Sequence, residues 1–179
     1  IRCLLSPATR LFLVPFGKEQ DEQIRDFTAY SVGTIRLQPD GWFFTSPFIN
    51  FADKLYDFKF KPSDTVVMTY PKCGTTWTQE IIWTMKNNPD LNHPMADVSI
   101  NTRSPFLDSD FLLIGSQLPE MDIGNPMCEG FAKFCPGKKV EDGIFLQIAE
   151  ACPDPRTIKT HLPFSLLAKD LVDTCKIIY

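Results

Sequence analysis

Residues 65–88 constrain the fold more than any other stretch of the chain. The run TVVM is apolar and β-branched, short enough for a buried strand, and a strand is predicted over 65–70. It leaves through Pro71, Lys72, Cys73 and Gly74 and enters a segment where Trp77, Ile81 and Met85 recur at i, i+4 and i+8. That recurrence predicts an amphipathic helix over 76–88, with Thr76 and Gln79 as a capping box and Pro89 as its stop. A strand–turn–helix aims the free amides of the first helical turn, and the positive end of the helix dipole, at one spot. Phosphate or sulfate binds readily there. Gly74 lets the backbone approach an anion, Lys72 adds a full charge, and Thr75 and Thr76 add hydroxyl donors. Trp77 adds a flat face for a purine.

The remaining segments predict how this unit is embedded. Residues 106–118 read as a helix, 119–143 as a long Pro- and Gly-rich loop, and 143–152 as a helix. Residues 156–161 read as a strand, 164–173 as a helix and 174–179 as a buried strand. Strands alternating with helices are the grammar of an α/β fold with a parallel sheet flanked by helices. Residues 1–39 are expected to be an irregular segment, with a short helix in the charged patch 18–26, and residues 40–179 to belong to one domain. A domain boundary belongs in an exposed linker, so a chain ending in a buried strand reads as the N-terminal part of a longer protein.

Charge and cysteines narrow the function. The net charge of −4 disfavours a general nucleic-acid binder but leaves room for an anionic small ligand held by local cations. Cys3, Cys73, Cys128, Cys135, Cys152 and Cys175 contain no C-x-x-C pair, so free thiols in a reducing, cytoplasmic setting are expected and no metal site. The apolar stretch 4–16 is broken by Pro7, Arg10 and Pro15, unlike a signal peptide, and no run reaches the roughly 18 apolar residues of a membrane span.

The loop is P-loop-like without being the ordinary phosphate loop, because Lys72 precedes Gly74. The strand at 174–179 does not end in an aspartate that would hold magnesium, which weighs against a kinase or nucleoside triphosphatase. The motif TYPKCGTTW at 69–77, with KPSD at 61–64, RSPFLD at 103–108 and KTHLPFSLL at 159–167, resembles the cytosolic sulfotransferases in content and order. The resemblance covers about residues 40–179, with an unfamiliar insert near 119–143. It implies a donor, 3′-phosphoadenosine 5′-phosphosulfate, and transfer of its sulfuryl group to a hydroxyl or amine of a small, apolar acceptor. Lys72, Cys73, Gly74, Thr75, Thr76 and Trp77 would form the donor loop. A truncated, non-catalytic binding protein is the rival reading. A small-molecule acceptor is the expected partner, with neither nucleic acid nor membrane and with a homodimer left open.

Alternation places Lys159 and His161 on one face at the carboxyl end of a strand, where open parallel sheets gather ligands. His161 is the candidate general base for the acceptor. Lys72 would neutralise charge on the oxygen bridging sulfur and phosphate, and Lys159 would assist at the sulfuryl oxygens. Phe48 and Phe106 are the candidate acceptor-binding residues, His93 reads as a solvated loop residue, and Arg103 receives no role. Two departures stand out. Cys73 occupies a position where the family usually has serine, and the family's later 3′-phosphate-binding segments have no counterpart in these 179 residues.

Overall fold

In the computed structural model, residues 3–4, 11–14, 33–112 and 126–179 are described. The strand β5 (Thr65–Met68) is buried along its whole length, as a β-branched run flanked on both sides must be. It pairs in parallel with β6 (Thr157–Thr160), Thr65 opposite Thr157 and Met68 opposite Thr160, and in parallel with β7 (Lys176–Ile178). The sheet order is therefore β6-β5-β7. On the far side of β6 the chain at 105–107 continues the ladder. Leu107 N donates to the Lys159 carbonyl at 3.0 Å and Lys159 N to the Pro105 carbonyl at 2.9 Å. The α/β fold with a parallel sheet flanked by helices is thus the observed one.

Several sequence expectations are corrected. The segment 1–39, expected to be irregular, contains β1 (Cys3–Leu4), β2 (Leu11–Val14) and the first strand of the hairpin that follows. β3 (Thr34–Gln38) and β4 (Trp42–Thr45) join them in a four-stranded antiparallel sheet ordered β1-β2-β3-β4. The missed signal is a Pro39-Asp40-Gly41 turn between alternating segments, where Gly41 takes φ 77°. The patch 18–26 lies outside the described residues. Helix α1 (Phe48–Tyr56) then lays Phe48, Phe51 and Leu55 into the core formed by Val66, Leu107, Phe111, Ile158 and Leu162.

Helix α2 (Thr75–Asn87) follows β5 as expected, but its burial does not follow the sequence stripe. Trp77, Ile81 and Met85 are 78%, 56% and 73% exposed, while Thr75, Gln79, Ile82 and Trp83 are buried. No capping box forms. Gly74, left-handed at φ 82°, occupies the cap, and Gln79 Nε2 instead donates to the Ser104 carbonyl and to Ser104 Oγ. The short helices α3 (Ile100–Arg103) and α4 (Ser109–Leu112) come next. The helix expected over 106–118 is therefore reduced to one turn within the described residues, because pairing with Lys159 holds 105–107 extended.

The predicted loop at 119–143 contains helix α5 (Pro126–Phe134), which uses proline at its first position and buries Phe131 against Cys135 and Ile144. Helix α6 (Ile144–Ala151) is capped from a distance, Asp110 accepting the Phe145 and Leu146 amides at 3.1 and 2.8 Å. The helix expected over 164–173 breaks into a 3-10 turn at Phe164–Leu166 and helix α7 (Leu171–Thr174). Leu166, Leu167 and Ala168 are all buried, and no single helix face buries three consecutive residues, so Leu167 turns extended. β7, expected to be buried, is a partly exposed edge because it pairs on one side with β5 alone.

Candidate active site

Three segments converge at the carboxyl end of the parallel sheet: the turn from β5 into α2, the end of β6, and the extended stretch at 105–108. In the turn, Lys72 is exposed and holds φ 66°. That conformation costs a non-glycine roughly 1–2 kcal/mol, and such strain collects at functional sites. Gly74 has the same hand, and a Cβ there would meet no atom within 4 Å, so its left-handed φ demands glycine while open space remains above it. No side chain caps α2. Thr75 is buried with its hydroxyl bonded to Thr69 Oγ1, whereas Cys73, Thr76 and Trp77 face outward. An uncapped helix mouth with a flanking lysine is able to hold a sulfate- or phosphate-sized anion.

Beside it, His161 Nδ1 lies 2.7 Å from the Thr69 carbonyl. A carbonyl only accepts, so Nδ1 carries the proton and the neutral ring presents Nε2 as a free base. Partial burial lowers the His161 pKa first of all, Lys159 lowers it further, and the Thr69 hydrogen bond opposes both. Lys159 is also lowered, first by burial and further by Lys72, with Asp108 opposing. The influence of Lys72 on Lys159 puts the two lysines in one electrostatic field.

Phe106 joins the pair from β6. Its ring meets His161 edge-on at 5.0 Å between centroids, and Lys159 Nζ sits 4.1 Å from its centroid. Phe48 is placed differently: it is 1% exposed, stacked on Phe44 at 4.6 Å and edge-on to Phe111 at 5.1 Å. Two residues left without a role in the sequence prove structural. Arg103 forks onto Glu80 at 2.8 and 3.0 Å and lies over Trp83, tying α2 to the segment after it. His93 is half-buried rather than simply solvated, packed edge-on against Trp83 and accepting the Met95 amide. Asp108, just inside one quoted motif, accepts the Thr160 hydroxyl at 2.6 Å and the His161 amide at 2.7 Å. No periodicity distinguished it from a surface aspartate.

Among the described residues no group of three His, Cys, Asp or Glu side chains is arranged to hold a metal, and no helix is long and apolar enough to cross a membrane. The fold and site together define an α/β protein in which an uncapped helix mouth with a flanking lysine lies beside a half-buried histidine at the carboxyl end of the parallel sheet. The chain belongs to the sulfotransferase domain family, whose model matches residues 62–179. It is 30% identical to the luciferin sulfotransferase of Photinus pyralis over 126 residues, 70% of this chain and 30% of that protein. It is 32% identical to sulfotransferase 1E1 of Homo sapiens over 136 residues, 74% of this chain and 35% of that protein. The match thus spans about a third of the length of these curated relatives. A crystal structure of retinol dehydratase in complex with retinol and PAP superposes with a TM-score of 0.70 at 25% identity. That match covers 94% of this chain and 50% of the other.

Cysteine chemistry at the mouth is directly testable. Cys73 is exposed, whereas Cys135 and Cys152 are buried and Cys175 is partly so. Burial pushes the Cys152 and Cys175 thiols up to about 11. A brief iodoacetamide pulse mapped by mass spectrometry is expected to label Cys73 ahead of these three. Added 3′-phosphoadenosine 5′-phosphate is expected to slow that labelling. Equal labelling with and without the nucleotide would remove Cys73 from the donor loop.

Proposed function

We propose that the protein carrying this chain transfers a sulfuryl group from 3′-phosphoadenosine 5′-phosphosulfate to a hydroxyl or amine of a small, apolar acceptor, without a metal. The observation that supports this most is the pairing of His161, its Nδ1 held by Thr69, with the uncapped mouth of α2. His161 Nε2 takes the acceptor's proton as the acceptor atom bonds to sulfur. Lys72 faces the negative charge left on the oxygen that departs from sulfur, and Lys159 faces the sulfuryl oxygens. The amides at Cys73, Gly74, Thr75 and Thr76 hold the 5′ side of the donor, and Trp77 offers its exposed ring to the purine. Phe106 walls the acceptor side, and Phe48, behind Phe44, is the second acceptor-side residue of this reading. The free thiols at Cys73, Cys128, Cys135, Cys152 and Cys175 agree with a cytoplasmic setting.

Transfer of labelled sulfate from the donor to an apolar alcohol, measured on the full-length protein with and without chelator, tests the proposal. Lys72→Ala is expected to lower turnover about 100- to 1,000-fold, the usual effect of losing a group that stabilises transition-state charge. Transfer at the parental rate in this variant would take Lys72 out of the mechanism. Loss of activity with chelator would overturn the metal-free reading.

A further inference from the structure

A parallel ladder running past the Phe106–Lys159 bridge would bring the His161 amide to the Leu107 carbonyl. The chain does not continue that way, because it turns into α4 immediately after Asp108, whose carbonyl accepts the Phe111 and Leu112 amides. The Asp108 side chain takes the vacated place. One carboxylate oxygen accepts from Thr160 Oγ1 and the other from the His161 amide, and Thr160 Oγ1 in turn accepts the Leu162 amide at 3.0 Å. Three successive residues at the end of β6 thus hang on one carboxylate.

We infer that Asp108 is the positioning residue of this site, clamping the end of β6 so that the His161 imidazole keeps its bond to Thr69 and its Nε2 faces the acceptor. The inference rests on the reading of His161 as the base. The clamp is a costly way to fill space. Asp108 is 1% exposed, no arginine among the described residues pairs with it, and burial raises its pKa to about 7 against the pull of its two donors and of Lys159. An apolar residue of like volume would pack there at lower cost, but it could not accept a backbone amide that the ladder has abandoned.

Histidine-selective 15N spectra of the full-length protein test the clamp. His161→Ala assigns the signals, and His93, packed on Trp83, serves as an internal report of the fold. The parent is expected to show neutral His161 as the Nδ1–H tautomer alone. Asp108→Ala is expected to show both tautomers and a turnover about 100-fold lower, with donor KM unchanged, as for a misplaced catalytic group. Asp108→Glu is expected to restore part of both. A folded Asp108→Ala protein with the single tautomer and parental turnover would overturn the inference. Where Asp108→Ala fails to fold, Thr160→Val removes one leg of the clamp and is expected to mix the tautomers. An unmixed tautomer in that variant would overturn the inference equally. If His161→Ala transfers at the parental rate, the base reading fails, whereas the tautomer result still decides whether Asp108 orients the ring.

Discussion

His161→Ala is expected to lower sulfuryl transfer about 100- to 10,000-fold, the range spanned by general acid–base catalysis, while leaving nucleotide affinity nearly intact. The ring bonds to Thr69 through Nδ1 and packs edge-on with Phe106, and a general base acts on the acceptor rather than on the donor. Isothermal titration with 3′-phosphoadenosine 5′-phosphate separates the two effects. An affinity loss as large as the rate loss would make His161 a donor-binding residue. The pH profile carries a second expectation. A base works only when unprotonated, and burial with the neighbouring Lys159 charge lowers the His161 pKa. Transfer should therefore rise with pH along an acid limb that lies below the ordinary histidine value, and His161→Ala should erase that limb. A limb above that value would contradict the assignment.

Asp64→Ala is expected to cost about 3–5 kcal/mol of folding stability, because it strands a buried guanidinium. Arg156 Nε donates to Asp64 Oδ1 at 2.8 Å and Nη2 to Oδ2. The same guanidinium also serves the Ala149 carbonyl at 2.9 Å and the Lys59 carbonyl at 3.0 Å. Both side chains are at most 1% exposed. The pair sits at the amino ends of β5 and β6, opposite the site, so it braces the central strands without touching the chemistry. Urea unfolding reads the effect as a lower midpoint at constant slope. The double variant Asp64→Leu with Arg156→Met is expected to be more stable than Asp64→Ala, since it leaves no unpaired charge. A loss below about 1 kcal/mol for Asp64→Ala would show that the charge finds water or another partner.

Much of the site was legible in short motifs because its parts are local. The turn at 69–77, the strand ending in Lys159 and His161, and the parallel α/β grammar each depend on a few adjacent residues. Residue type announces the left-handed φ at Gly74, and alternation alone puts Lys159 and His161 on one face. The failures were of a different kind. Trp77, Ile81 and Met85 form a sound helical stripe, yet the opposite face of α2 is the buried one, because Gln79 is recruited to Ser104 and Trp83 to Arg103.

The sequence by itself determined the strand–turn–helix, its handedness at Gly74 and the chemical types gathered in KTHLP, since these follow from nearest-neighbour sterics and period. Only the tertiary structure decided that Thr69 holds the His161 ring and that Asp108 replaces a ladder carbonyl. It alone paired Arg156 with Asp64, 92 residues away. Those contacts depend on which strands lie side by side. Burial then makes each polar group find a partner, and no period in the chain encodes the partner's position.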